Sequence, residues 1–165
     1  MAGKTGNRRN RHDVAGFRAS PRLTGSLQRV LVDLIELQLQ GKQAHWNVVG
    51  PNFRDLHLQL DELVDFVRVS SDTVAERMRA LDAVPDGRSE TVSATTTVPA
   101  ITADEINSDD AVDQISAAIY AAVETLREVR EDVDDEDPNT TGVLDEVTEG
   151  LEKLAWLIKS ENRKA

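Results

Sequence analysis

Apolar side chains recur at three- and four-residue steps in four stretches of this chain, and each stretch predicts an amphipathic helix. The first runs from about Leu23 to Asn47 and the second from about Asn52 to Leu81. The third begins near residue 108. The fourth begins at Asp137-Pro138, where an N-cap precedes proline at the first helical position. Gly50-Pro51 separates the first two helices, because proline disfavours helix at the preceding residue.

The segment 82–107 breaks this periodicity. Pro85-Asp-Gly87, three consecutive threonines at 95–97 and Pro99 mark a long connection with room for one short helix. The other two connections are short. One long crossover between the second and third helices therefore predicts an all-α four-helix bundle.

Composition narrows the classes of function. The chain has 165 residues, 39% of them hydrophobic and 4% aromatic, which suits one domain with an aliphatic core. Because there is no cysteine, disulfides, zinc-thiolate sites and thiol catalysis are excluded. No apolar run is long enough for a membrane span, and the N-terminus lacks a signal-peptide pattern. We therefore expect a cytoplasmic protein with no membrane partner.

Charge is distributed unevenly along the chain. Residues 1–22 carry six Lys or Arg side chains and one Asp, a net +5 against −16 for the remainder, which together give the net charge of −11. We predict a flexible basic arm over 1–22, the bundle over 23–160 and a short basic tail over 161–165. The arm is either a solubilising tail or a contact for DNA phosphates. The candidate DNA contacts are Lys4, Arg8, Arg9 and Arg11.

One stripe of the predicted second helix carries candidate metal ligands. His57 and Asp61 are four residues apart, and Asp72 and Glu76 repeat that spacing farther along. At 100° per residue, all four lie on one face, beside the apolar stripe. Imidazole together with carboxylates suits iron, manganese or zinc better than magnesium.

The two ligand pairs lie too far apart to hold one ion within one molecule. Asp61 and Asp72 are separated by eleven residues, roughly 16 Å along a helix. An antiparallel neighbour across a two-fold axis would place each pair against the other and form two equivalent sites. The chain also lacks the Glu-x-x-His motif of metal sites inside a bundle. These observations disfavour a monomeric metal-binding module.

A longer pattern resembles the Dps family of mini-ferritins. It comprises Lys42-Gln-Ala-His45-Trp-Asn-Val-Val-Gly-Pro-Asn-Phe53, Leu56-His57, Asp61 and Asp72-Thr-Val-Ala-Glu76-Arg77, with Leu151-Glu-Lys-Leu-Ala-Trp156 near the end. The resemblance implies a ferritin-like bundle, twelve copies of which assemble into a hollow, dodecameric shell.

The resemblance also implies a function. Iron would be oxidised at a di-iron ferroxidase centre on a two-fold interface, with His45, His57 and Asp61 from one chain and Asp72 and Glu76 from its partner. Trp46 would pack beside this centre. Peroxide would be the oxidant, or more slowly oxygen, and the ferric product would be stored inside the shell. The protein would associate with the nucleoid and protect DNA from oxidative damage.

An acidic run at 132–137 has two interpretations. It is a solubilising turn at a helix N-terminus, or it forms part of a pore that guides cations inward, as the resemblance implies. The candidate pore residues are Asp137, Asp145 and Glu149. For the whole chain, the alternative to an iron-oxidising enzyme is a chromatin-compacting DNA-binding protein whose metal site is only structural.

Overall fold

The computed structural model describes residues 16–164. In chain order its elements are α1 (Pro21–Asn47), β1 (Val48–Val49), α2 (Phe53–Ala80), α3 (Ser89–Thr95), β2 (Ile106–Asn107), α4 (Ser108–Glu136) and α5 (Pro138–Ser160). The helices α1, α2, α5 and α4 contact one another in a ring, and α3 packs against α1 from the crossover. The predicted all-α bundle with a long crossover is confirmed.

The core consists of the predicted aliphatic stripes. The buried apolar stripe of α2 and its C-cap residue comprises Leu56, Leu60, Leu63, Val64, Val67, Val74, Met78 and Leu81. Leu39 continues the three- and four-residue apolar steps of α1 but is 55% exposed, whereas Leu37 is fully buried. The two side chains are about 200° apart around the helix axis, so Leu39 points away from the face that carries Leu37.

The start of α1 corrects the boundary drawn at residue 22. The Ser20 hydroxyl caps the helix by accepting from the Leu23 amide at 3.1 Å, and Pro21 takes the first helical position. Ser20 also donates through its amide and hydroxyl to the carboxylate of Glu136, at 2.7 and 2.6 Å. Arg22 pairs with Asp132. Pro21 and Arg22 therefore belong to the bundle.

A two-residue ladder fixes the end of the bundle where α1 meets α2. Val48 pairs with Ile106 and Val49 with Asn107, in parallel. The chain then reverses through Gly50, whose φ of +106° favours glycine over residues with a Cβ. The ladder holds the α1–α2 connection against the end of the crossover and thereby fixes the position of the first turns of α2.

The crossover is attached to the bundle through one buried carboxylate. Asp33 on α1 accepts hydrogen bonds from the amide and hydroxyl of Thr97 at 2.8 and 2.7 Å. It also accepts from the hydroxyls of Thr96 and Thr125 at 2.9 and 2.6 Å. Because four donors surround a side chain that is 2% exposed, its polar atoms are satisfied without a cation.

None of the helices within residues 16–164 combines the length and apolar character needed to cross a bilayer.

Candidate metal centre

Three candidate ligands converge where α1 ends and α2 begins. His45 lies in the last turn of α1, and His57 and Asp61 lie on successive turns of α2. One potential ligand atom from each residue lies within 4.8 Å of the others. Among residues 16–164, this is the one group of three or more His, Cys, Asp or Glu side chains with such spacing.

The two histidines orient each other. Their rings stack with centroids 3.7 Å apart and planes inclined by 21°. Nδ1 of His45 lies 3.0 Å from the carbonyl oxygen of His57, and Nδ1 of His57 lies 3.0 Å from the carbonyl oxygen of His45. A carbonyl oxygen only accepts, so a proton on Nδ1 makes each contact. In the neutral rings, Nε2 then carries the free lone pair that a metal requires.

Asp61 adds a carboxylate that remains anionic. Lys42, one turn before His45, donates to Oδ1 of Asp61 at 2.6 Å, and the same oxygen lies 3.3 Å from Nδ1 of His45. The hydrogen bond from Lys42 is the main influence that lowers the pKa of Asp61; partial burial opposes it, and electrostatic interactions with His45, Lys42 and His57 add to it. Lys42 belongs to the sequence pattern around His45, but its contact with Asp61 was not predicted, although the i,i+3 spacing places Lys42 and His45 on one helix face.

Asp72 and Glu76 are not brought to this group within the chain. Both are exposed and lie farther along α2. Asp72, Arg68 and Val69 line one wall of a groove of about 530 Å³, whose other walls come from α1 and the crossover. The interpretation that Asp72 and Glu76 complete a metal site therefore depends on a second molecule.

Trp46 is 69% exposed in the single chain, beside the buried His45. Its predicted packing against the centre likewise depends on a neighbour. Phe53 is the aromatic ring that contacts the site within the chain, with its centroid 5.2 Å from that of His57 and the planes inclined by 35°.

The three candidate pore residues have different environments. Asp137 is buried: Arg77 donates to its carboxylate at 2.6 Å, and Thr140 also donates to it. Asp145 accepts two hydrogen bonds from Arg130, at 2.8 and 2.9 Å. Glu149 is exposed in a cleft of about 220 Å³. Asp137 thus joins α2 to α5 within this chain, and its role in a pore stays a prediction.

The predicted DNA contacts Lys4, Arg8, Arg9 and Arg11 lie outside the residues that the structure describes.

Comparison with known proteins identifies the family. A model of the ferritin-like domain matches residues 25–164. The DNA protection during starvation protein of Agrobacterium fabrum is 30% identical over 143 residues, covering 86% of this chain and 88% of the relative. The fine tangled pili major subunit of Haemophilus ducreyi is 34% identical over 148 residues, with 85% and 78% covered.

Solved structures agree with the sequence relatives. Dps92 from Deinococcus radiodurans superposes with a TM-score of 0.83 at 30% identity, covering 87% of each chain. The chain combines the bundle, its long crossover and the histidine pair at the α1–α2 junction. It therefore belongs to the Dps family of ferritin-like proteins.

Proposed function

We propose that this protein oxidises ferrous iron at sites shared between two copies of the chain and stores the ferric product inside a hollow homo-oligomer of twelve subunits. The observation that carries the proposal is the His45–His57–Asp61 group, in which backbone carbonyls hold both rings with Nε2 free. Two imidazoles and a carboxylate form a ligand set suited to iron.

The spacing of α2 supports completion of the site by a second copy. His57 and Glu76 lie equally far from the point midway between residues 66 and 67, and so do Asp61 and Asp72. A two-fold axis through that point brings His57 of one copy level with Glu76 of the other, and Asp61 level with Asp72. Each of the two resulting sites would then have five protein ligands, enough to hold a pair of irons.

The proposed chemistry is a two-electron reduction of peroxide. Two ferrous ions each lose one electron, and one peroxide molecule accepts both as its O–O bond breaks to give two hydroxide ions. The protein fixes the ligand geometry and holds the two substrate ions close together. Because iron and peroxide are consumed together, fewer hydroxyl radicals would form near DNA in the cytoplasm, where we expect this protein to act.

A second candidate function is DNA compaction with a metal that only joins subunits. The basic arm at 1–22 and the name of the Agrobacterium relative, which refers to DNA protection, favour it. Turnover separates the two functions. A structural metal remains bound in stoichiometric amount, whereas a ferroxidase converts many equivalents of iron per subunit.

The experiment is anaerobic titration with ferrous iron followed by peroxide and size-exclusion chromatography, on the wild type and on His57→Ala. We expect fast oxidation into a soluble, iron-loaded particle, slowed by more than about tenfold in His57→Ala because a ligand is lost. Glu62→Gln, which neutralises an exposed carboxylate on α2 outside the ligand group, should behave as the wild type. Oxidation no faster than in protein-free buffer would reject the ferroxidase.

A further inference from the structure

The centre of the exposed α2 face carries one acidic and one basic side chain, Asp65 and Arg68. Like the ligand pairs, these two residues are equally spaced about the point between residues 66 and 67. Each lies about 2 Å from that point along the helix axis, closer than any of the candidate ligands. The two-fold axis of the proposed function therefore puts Asp65 of one copy level with Arg68 of the other, twice.

Within one chain, the two side chains form only a loose contact. Arg68 Nη2 and an Asp65 carboxylate oxygen are 3.9 Å apart, beyond hydrogen-bonding distance, and the side chains are 62% and 76% exposed. An exposed pair of this kind contributes little to the stability of the chain. Both groups can therefore turn toward a second copy at small cost.

The charges of the surrounding face favour a cation close to the two-fold axis. Asp61, Asp72, Glu76 and the central Asp65 are acidic, so two copies of the middle of this face would repel each other if no positive charge lay between them. Two further basic side chains on this face, Arg54 and Arg79, lie at the ends of α2, so Arg68 is the basic side chain nearest the axis. The exposed apolar side chains Leu58 and Val69 flank the face and would be covered by the same contact.

We propose that Asp65 and Arg68 form two reciprocal ion pairs across the two-fold axis, and that this second copy of the chain is the partner of the α2 face. The inference rests on the proposed function for the position of the axis. The pairs set the register of the two antiparallel helices and thereby align His57 with Glu76 and Asp61 with Asp72 before any metal is bound.

Two charge reversals test the pairing in trans. In homodimers of Asp65→Arg, the introduced arginine of one copy faces Arg68 of the other. In homodimers of Arg68→Asp, the introduced aspartate of one copy faces Asp65 of the other. Each metal-free variant alone should therefore associate at least about tenfold more weakly than the wild type. When the two variants are mixed, every cross-axis pair joins opposite charges, so association should return.

Native mass spectrometry provides the readout, because the two variants differ in mass. We expect assemblies that contain both variants in equal numbers. The doubly exchanged chain, with Asp65→Arg and Arg68→Asp, should associate by itself, which shows that the substitutions are tolerated. Glu62→Arg reverses an exposed charge on the same helix without a cross-axis charged partner and should associate as the wild type; circular dichroism checks that all variants are helical.

The pairing is overturned if either single variant associates as tightly as the wild type, or if the mixture does not recover while the doubly exchanged chain associates. An intrachain ion pair cannot produce rescue by mixing, since each variant lacks its own partner. Normal iron oxidation with no effect of the reversals would reject the pairing and leave the ferroxidase intact. Rescue by mixing without iron oxidation would support the pairing and reject the ferroxidase.

Discussion

At the scale of single residues, Lys42 places a positive charge beside the candidate metal centre. Its ammonium group donates at 2.6 Å to Oδ1 of Asp61, a candidate ligand. The contact keeps Asp61 ionised and in place, and it also puts a positive charge beside the position of the metal. Two like charges a few ångströms apart repel each other, although water screens part of this repulsion at a half-exposed site. Lys42 therefore both positions a ligand and weakens cation binding.

Replacing Lys42 by a neutral side chain of similar length should strengthen binding of a divalent cation. We expect Lys42→Met to bind Co²⁺ about tenfold more tightly than the wild type, measured from the visible absorption of the metal in anaerobic titrations. Lys42→Arg keeps the positive charge and should keep the weaker affinity. Equal affinity in all three proteins, or weaker binding in Lys42→Met, would show that orientation of Asp61 outweighs charge repulsion.

At the scale of elements, a buried junction joins the end of α2 to the start of α5. Asp137 is the single residue between α4 and α5, and it accepts hydrogen bonds from Arg77 and Thr140. Burial is the largest single influence on the pKa of Asp137 and would raise it. The hydrogen bonds from Thr140 and Arg77, with the charge of Arg77, outweigh burial and lower the pKa below its ordinary value of 3.8.

The direction of this shift determines how the effect of Asp137→Asn on the free energy of unfolding depends on pH. A lowered pKa in the folded state means that the stabilisation is present above pH 3.8 and is lost as the pH falls through the folded pKa. At pH 7 we expect Asp137→Asn to lower the free energy of unfolding by about 1–3 kcal/mol, because the partly buried Arg77 loses its charged partner. Denaturant unfolding should show the gap to the wild type narrowing below pH 3.8.

Asp145→Asn is the matched control for this junction. Asp145 also accepts from an arginine, Arg130, but both side chains are about half exposed. Water screens such a pair, so we expect a loss below about 1 kcal/mol at pH 7. If the two variants lose the same stability, the burial of Asp137 is not what makes its ion pair important.

Long amphipathic elements could be predicted from the sequence, and short or shared features could not. The starts of the four long helices and the ends of the first two lie within about two residues of their predicted limits, because burial of an apolar stripe dictates the helical period. The β1–β2 ladder has two residues per strand and leaves no periodic signal. The contacts of Asp33 with threonines in the crossover and in α4 depend on how the elements pack, which no local pattern encodes.

The candidate site divides in the same way. His45, His57 and Asp61 meet within the chain because the α1–α2 connection is short and held by the ladder. Their junction with Asp72 and Glu76 stays a prediction, since it needs a second molecule. For Asp137, the acidic run suggested a pore, whereas the Arg77 side chain 60 residues earlier decides its environment.

At the scale of the whole molecule, the charge distribution separates the two proposed activities. The bundle and tail carry about −16 and would be repelled by DNA, while residues 1–22 carry about +5. We expect one such arm to bind DNA weakly. On the proposed shell, twelve arms would act together, because after the first contact the others would bind at high local concentration. DNA binding should therefore depend on both the arm and the assembly.

Deletion of residues 1–15 tests this dependence while leaving the Ser20 cap and Pro21 of α1 in place. The deletion removes four of the six basic side chains of the arm, Lys4, Arg8, Arg9 and Arg11. We expect the intact protein to retard DNA in a gel at low salt and to release it as salt rises, because phosphate contacts liberate counterions. The truncated protein should lose the retardation while it still oxidises ferrous iron at the wild-type rate.

Retardation that survives the deletion would move the DNA contact to the basic C-terminal end, where Arg163→Ala with Lys164→Ala would then abolish it. Loss of both activities together would instead mean that the arm supports the assembly on which each of them depends.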